Sequence, residues 1–143
     1  MRSESDSRLP EIMRNFFGVV IEQSLTDVSV LKRIKILSTR ISPVTPQHQT
    51  PWLSKWTLHN VEVERDVVDV FARVISEHID EAHDHPWYAD FDDGKTHYII
   101  FPRKIFKIDM ENKKQYAEAK QYGIALGIPP HQVDFHPKDR KNI

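Results

Sequence analysis

Apolar positions along this chain switch between strand-like and helix-like spacing, and each switch predicts an element. The run FFGVVIEQ (16–23) is rich in β-branched and aromatic residues and has strand length, so it reads as a strand buried on both faces. Ser24 is placed to cap a short helix over LTDVSVLK. RIKILSTRI (33–41) alternates at Ile34 and Ile36 with bases between, the pattern of a half-exposed strand. WTLHNVEVE (56–64) alternates too, but its phase slips. Trp56 and Leu58 share one parity, Val61 and Val63 the other, and a bulge near Asn60 would realign them. Residues 64–80 then change period. Val67, Val68, Phe71, Val74, Ile75 and Ile79 fall on one helical stripe, with Arg65, Asp66, Asp69, Arg73 and Glu77 off it.

A hairpin follows in WYADFDDGKTHYIIF. Asp93-Gly94 is a strong two-residue turn signal, because a type I′ turn needs positive φ at both central positions. Setting that turn pairs Asp92 with Lys95, Phe91 with Thr96, Asp90 with His97, Ala89 with Tyr98, Tyr88 with Ile99 and Trp87 with Ile100. Side chains alternate between faces. Trp87, Ala89, Phe91, Tyr98 and Ile100 therefore share the face expected to be core. Tyr88, Asp90, His97 and Ile99 share the other. RKIFKID after Pro102 reads as a further strand at an edge or a bend. NKKQYAEAKQYGIALG (112–127) reads as a second helix with Tyr116, Ala119, Tyr122 and Leu126 inward, and HQVDF as a short last strand. The expected fold is α+β: an antiparallel or mixed sheet with two main helices packed on one face, ferredoxin-like as the nearest architecture. Residues 1–14 are read as a polar extension, 15–136 as a single domain and 137–143 as a charged tail.

Composition narrows the classes. The chain has 143 residues, 39% hydrophobic and 29% charged, the balance of one soluble globular domain. It has no cysteine, which excludes disulfides, thiolate nucleophiles and cysteine zinc sites. No apolar run reaches the roughly 18 residues of a membrane helix, and the start lacks a secretory signal, so we expect a cytoplasmic protein without membrane contact. The net charge of −1 conceals a gradient: residues 77–93 hold seven acids and no Lys or Arg, whereas residues 94–143 hold ten bases against five acids. The composition is not that of a nucleic-acid binder.

The stretch WYADFDDGKTHYIIFPRKIFKID together with YGIALGIPPHQVDF resembles a group of small prokaryotic proteins, over most of the chain after residue 15. No activity is attached to that group, so the resemblance implies no catalytic residues.

Candidate chemistry concentrates near residues 83–97. Asp90 beside His97 could serve acid–base catalysis, because a carboxylate fixes the imidazole's tautomer, and Tyr88 on the same face would add a hydroxyl. The plainer alternative is a cross-strand polar pair on a solvated face, contributing at most about 1 kcal/mol. His83 and His85, with His78 as an outside member, could hold a metal if the segment is extended, since both imidazoles would then point to one side. The plainer alternative is a polar connection between helix and strand. Phe101 and Phe106 interleave with Arg103, Lys104 and Lys107, a pattern that can hold single-stranded nucleic acid or simply mark a two-faced strand. The loop SPVTPQHQTP (42–51), with three prolines, leads into Trp52 and Trp56, which could lid a pocket or anchor in the core. We read the chain as a binding or accessory module for a small molecule or a protein partner, engaged by loop 42–55 and the Tyr88/Asp90/His97 face. It is expected to need no cofactor. A small enzyme or metalloprotein and a nucleic-acid accessory protein are the alternatives, and strand 103–108 is an edge through which a homodimer could pair.

Overall fold

Among the described residues six strands form one antiparallel sheet: β1 (Phe16–Ile21), β2 (Lys35–Pro43), β3 (Lys55–Val63), β4 (Ala89–Asp92), β5 (Thr96–Phe101) and β6 (Lys104–Asp109), in the order β2-β3-β1-β4-β5-β6. The structure is a computed structural model and describes residues 14–83 and 85–138. The expected extension 1–14 falls almost wholly outside the described residues, as do residues 139–143 of the expected tail. Helix α1 (Val68–Glu77) is entered through a 3-10 turn at Arg65–Val67, and α2 (Lys113–Ala125) starts at Asn112, whose side chain accepts from the Gln115 backbone amide. No helix among the described residues is long and apolar enough to cross a membrane.

The two helices lie on opposite faces of the sheet, which corrects the expectation of helices on one face. Phe71 of α1 packs against Phe91, and Asp69 accepts from the Tyr98 hydroxyl. On the other face Tyr122 of α2 packs on Phe101 and Phe106. The reason lies in β5: Tyr98 and Ile100 point one way, Ile99 and Phe101 the other, and all four are at most 2% exposed. A strand apolar on both faces needs a cover on each. The strand order and this two-sided arrangement do not confirm a ferredoxin-like architecture. The last expected strand is also absent: residues 130–132 form a 3-10 turn, and Val133 and Phe135 pack instead into the core under α2.

The phase slip in β3 has the same origin. β3 pairs with β1 through six successive positions without a break, so it contains no bulge. Trp56 and Leu58 face away from α1, whereas Val61 and Val63 face toward it. The extra residue sits on the neighbouring strand. Ile36 pairs with Val61 and Ser38 with Asn60, leaving Leu37 unmatched. β2 is an edge strand exposed along almost its whole length, including Ile36 and Ile41, and not the half-buried strand its alternation implied. Ser24 caps no helix. It is buried, and its hydroxyl donates to the Ile21 carbonyl at 2.6 Å, while Asp27 caps the 3-10 helix Val28–Arg33.

Three local devices hold the central strands. Gly18 lies opposite Phe91, and a Cβ there would come within 2.0 Å of the Asp90 carbonyl oxygen and 2.6 Å of the Phe91 Cα. Only glycine lets β1 and β4 approach this closely. The β4–β5 turn is longer than the two-residue type I′ turn expected. Asp92 pairs with His97, Gly94 alone has positive φ (91°), and Asp93 accepts from the Lys95 and Thr96 amides at 2.9 and 2.7 Å. Arg65 also donates to Asp93 while lying over the Phe16 ring, so this 2%-exposed carboxylate ties the turn to the start of α1. Pro102 and Arg103 make the β5–β6 turn, with Arg103 at φ 55°, which places β6 at the sheet edge as its proline implied.

Replacing Gly18 with Ala is expected to destabilise the fold by about 1–3 kcal/mol, since the clash is with backbone that cannot swing aside. Urea denaturation at a fixed pH measures it, and an unchanged midpoint would mean that β1 and β4 can separate at no cost.

Candidate functional site

The hairpin register differs from the expected one by two residues, and that even shift preserves which side chains share a face. Asp90 pairs with Ile99, and His97 with Asp92. The Asp90 carboxylate nevertheless reaches diagonally to the imidazole, with 2.7 Å between Oδ2 and Nε2. The face is not solvated, contrary to the plainer reading. His97 is 0% exposed and Asp90 5%. The second ring nitrogen, Nδ1, lies 2.8 Å from the Tyr116 hydroxyl of α2. An ionised carboxylate only accepts, so in the neutral imidazole Nε2 carries the proton and Nδ1 accepts from Tyr116. The three side chains form a hydrogen-bonded chain from β4 through β5 to α2.

Tyr88, expected beside this pair, is turned elsewhere. Its hydroxyl donates to the Gln132 carbonyl at 3.0 Å, and its ring packs on Phe135 and Phe101. The hydroxyl on the imidazole is that of Tyr116, placed on the inner face of its helix by sequence but not connected to His97. A tyrosine on a core-facing stripe needs a partner for its hydroxyl, and that requirement was the available signal. A second histidine, His59, is held in the same manner on the opposite face, between Thr39 at 2.8 Å and Glu22 at 3.0 Å.

Beside Asp90 the sheet surface forms an open cavity of about 370 Å³. Register explains its floor. Val19 pairs with Asp90, Ile21 with Leu58, and Leu58 with Arg40, so these side chains rise from four adjacent strands on one face. Trp56, Trp87 and His85 form one wall; Tyr88, Gln132 and Pro137 form another. Asp92 borders this cavity and also a larger groove of about 1040 Å³ beneath α2, which Tyr116 lines. The hydrogen-bonded chain thus runs between two concave surfaces, with its imidazole sealed from both.

Loop 42–55 anchors one wall and does not close over the cavity. The Trp56 indole donates to the buried Thr50 hydroxyl at 3.0 Å, and His48 caps its own turn by accepting from the Thr45 amide. Trp52 remains 39% exposed and stacks on His83, with rings 4.7 Å apart and 12° from parallel. His83 also meets Asp80 at 2.8 Å, and His85 packs edge-on against Trp87 at 4.4 Å. Both histidines expected as metal ligands thus lie against indole rings. His78, the outside member, engages the Val74 carbonyl through Nδ1 at 2.7 Å. Among the described residues no group of three or more His, Asp or Glu side chains is gathered for a metal ion. The Trp87 indole N–H is buried without an acceptor among the described residues.

The aromatic residues of the basic strand are likewise committed. Phe101 is fully buried and Phe106 half-buried, both against Tyr122, so the bases Arg103, Lys104 and Lys107 have no fully exposed ring beside them. No family model, curated protein or solved structure matches this chain.

Burial lowers the His85 pKa below its ordinary 6.5, against a hydrogen bond with the Gln49 backbone that raises it. Desolvation disfavours the imidazolium. A depressed folded-state value means the unfolded chain takes up this proton first. The contribution is complete above pH 6.5 and is lost as pH falls from there through the folded-state value. Denaturation midpoints of the wild type and His85→Phe, compared from pH 7.5 downward, should therefore converge on acidification; parallel curves would show His85 does not titrate this way. Tyr116→Phe removes the donor to a buried acceptor and should destabilise by about 1–3 kcal/mol. Nitrogen-15 NMR of the His97 ring checks the tautomer: Nε2 protonated and Nδ1 bare in the wild type. The reverse assignment would contradict the chain as drawn.

Proposed function

We propose that this chain is a small-molecule binding protein whose ligand occupies the 370 Å³ cavity beside Asp90. The observation that carries this reading is the combination in one concavity of an apolar floor with a few convergent polar groups, among them a carboxylate held in place from behind. Ligand sites are built this way, mostly apolar with a small number of fixed polar groups. Accessory function in the cytoplasm, and pairing of two copies along the β6 edge, belong to the same reading.

The enzymatic alternative draws on the Tyr116–His97–Asp90 chain. A general acid or base must come within hydrogen-bond reach of the proton it moves. His97 is 0% exposed, so it meets no substrate as the site stands, and Asp90 would be the reacting group with His97 and Tyr116 positioning it. The burial of the imidazole favours binding over catalysis.

Screening a fragment library by amide NMR tests the proposal. Hits should shift a contiguous set of amides at Val19, Ile21, Leu58 and Tyr88, and Val19→Trp, which fills the cavity, should remove those shifts. Hits that scatter over the surface, or that survive Val19→Trp unchanged, would reject it.

A further inference from the structure

On the face of the sheet away from the cavity, His59 stands between a carboxylate and a hydroxyl. It lies in β3, opposite Val20 of β1 on one side and Thr39 of β2 on the other. Thr39 Oγ1 is 2.8 Å from Nδ1. Glu22, in the 3-10 turn that follows β1, brings its Oε1 to 3.0 Å from Nε2. An ionised carboxylate only accepts, so Nε2 of the neutral imidazole carries the proton and Nδ1 accepts from the Thr39 hydroxyl. A hydroxyl that donates to an imidazole, itself oriented by a third group, is the arrangement that activates an oxygen nucleophile.

Access separates this histidine from His97. His59 is 7% exposed, but the chain of bonds through it ends on Thr39, an exposed residue of the edge strand. Ile36, Thr39 and Ile41 pair with Val61, His59 and Thr57, alternate residues of one unbroken strand, and so share a face. Both isoleucines are exposed, and they flank the hydroxyl with apolar surface. β2 has no strand on its outer side among the described residues. Successive residues of an edge strand turn their backbone groups alternately inward and outward, so Thr39 or Arg40 presents an amide at the free edge. Such an amide can donate to a developing oxyanion. Being buried, His59 serves the attacking oxygen and not the departing group. The donor is therefore one whose leaving group departs as an anion.

We propose that Thr39 is a nucleophile that accepts an acyl group from an aryl ester or thioester, with His59 as its base and Glu22 as the residue that positions His59. Thr39 Oγ1 forms a bond to the acyl carbon and its proton passes to Nδ1. The bond from that carbon to the aryl oxygen or thioester sulfur breaks, and its electron pair leaves on that atom. Nδ1 then gives the proton to water, leaving an ester on Thr39 and a free phenolate or thiolate. The site shares no residue with the lining of the cavity beside Asp90.

The reaction of the full chain with p-nitrophenyl butyrate at pH 8 tests this, with phenolate release read by absorbance and the acyl group located by mass mapping after acid quenching. The butyryl group is expected on Thr39, with release at least tenfold faster than in Thr39→Val, since positioned proton transfer contributes about a hundredfold or more. Valine keeps the β-branched shape at this exposed position, so the variant is expected to fold. Thr39→Ser should retain the reaction. Glu22→Gln should slow it about tenfold, and nitrogen-15 NMR should show the His59 proton no longer confined to Nε2. Release as fast in Thr39→Val as in the wild type would overturn the proposal. So would butyryl groups found only on lysines, or a wild-type His59 protonated at Nδ1.

Discussion

His97 has no contact with water, and the satisfaction of its two ring nitrogens organises one whole side of the sheet. A buried imidazole left with an unmet donor or acceptor costs about 1–3 kcal/mol, so its partners are constrained as tightly as a core contact. Nε2 fixes the Asp90 carboxylate on β4, and Nδ1 fixes the Tyr116 hydroxyl on α2. Through these two bonds one residue of β5 sets the height of α2 over the sheet and the rotamer of an acid on a neighbouring strand. The cavity on one side and the groove on the other are the spaces left once that geometry is met.

The second constraint is the close approach of β1 and β4 at Gly18. β4 is only four residues long, yet its residues are buried on both faces and it carries both acids of the cavity. Its position depends on β1, which lies between β3 and β4 and brings Val19 directly opposite Asp90. Apolar floor and carboxylate meet because one strand joins them. On the far face the same junction packs Phe16, Phe91 and Tyr98 edge to face, with Phe71 of α1 above them. A single backbone contact therefore supports the core on one side and the candidate site on the other.

Much of this was legible in the residue pattern. The amphipathic stripe of α1, the hairpin around Gly94, the turn at Pro102 and the helix ending at Gly127 all follow from local chemistry. The sequence register pairs Asp90 with His97 two residues out of step; the strand pairing differs, yet the two side chains still meet because side-chain direction has a period of two. Alternation alone mispredicts the solvation of that face for a physical reason. Its cover comes from α2 and residues 133–135, distant in sequence, and alternation says which residues share a face without saying what lies above it. The slip in β3 implies a bulge only where a strand has a single buried face. With a helix on one side and a cavity wall on the other, both parities are apolar in turn. The histidine pair at 83 and 85 was ambiguous, because imidazole spacing that suits a metal also suits stacking on indoles, and Trp52 lies some thirty residues away.

What the sequence by itself determined is most of the elements and the side of the sheet on which the residues of β4 and β5 stand, since these depend on neighbours along the chain. Only the tertiary structure decided that the helices lie on opposite faces, that Tyr116 and not Tyr88 meets His97, and that Asp90 opens onto a cavity. Those facts depend on which strands are neighbours and which helix covers them, and strand order is set by packing between segments the chain separates widely.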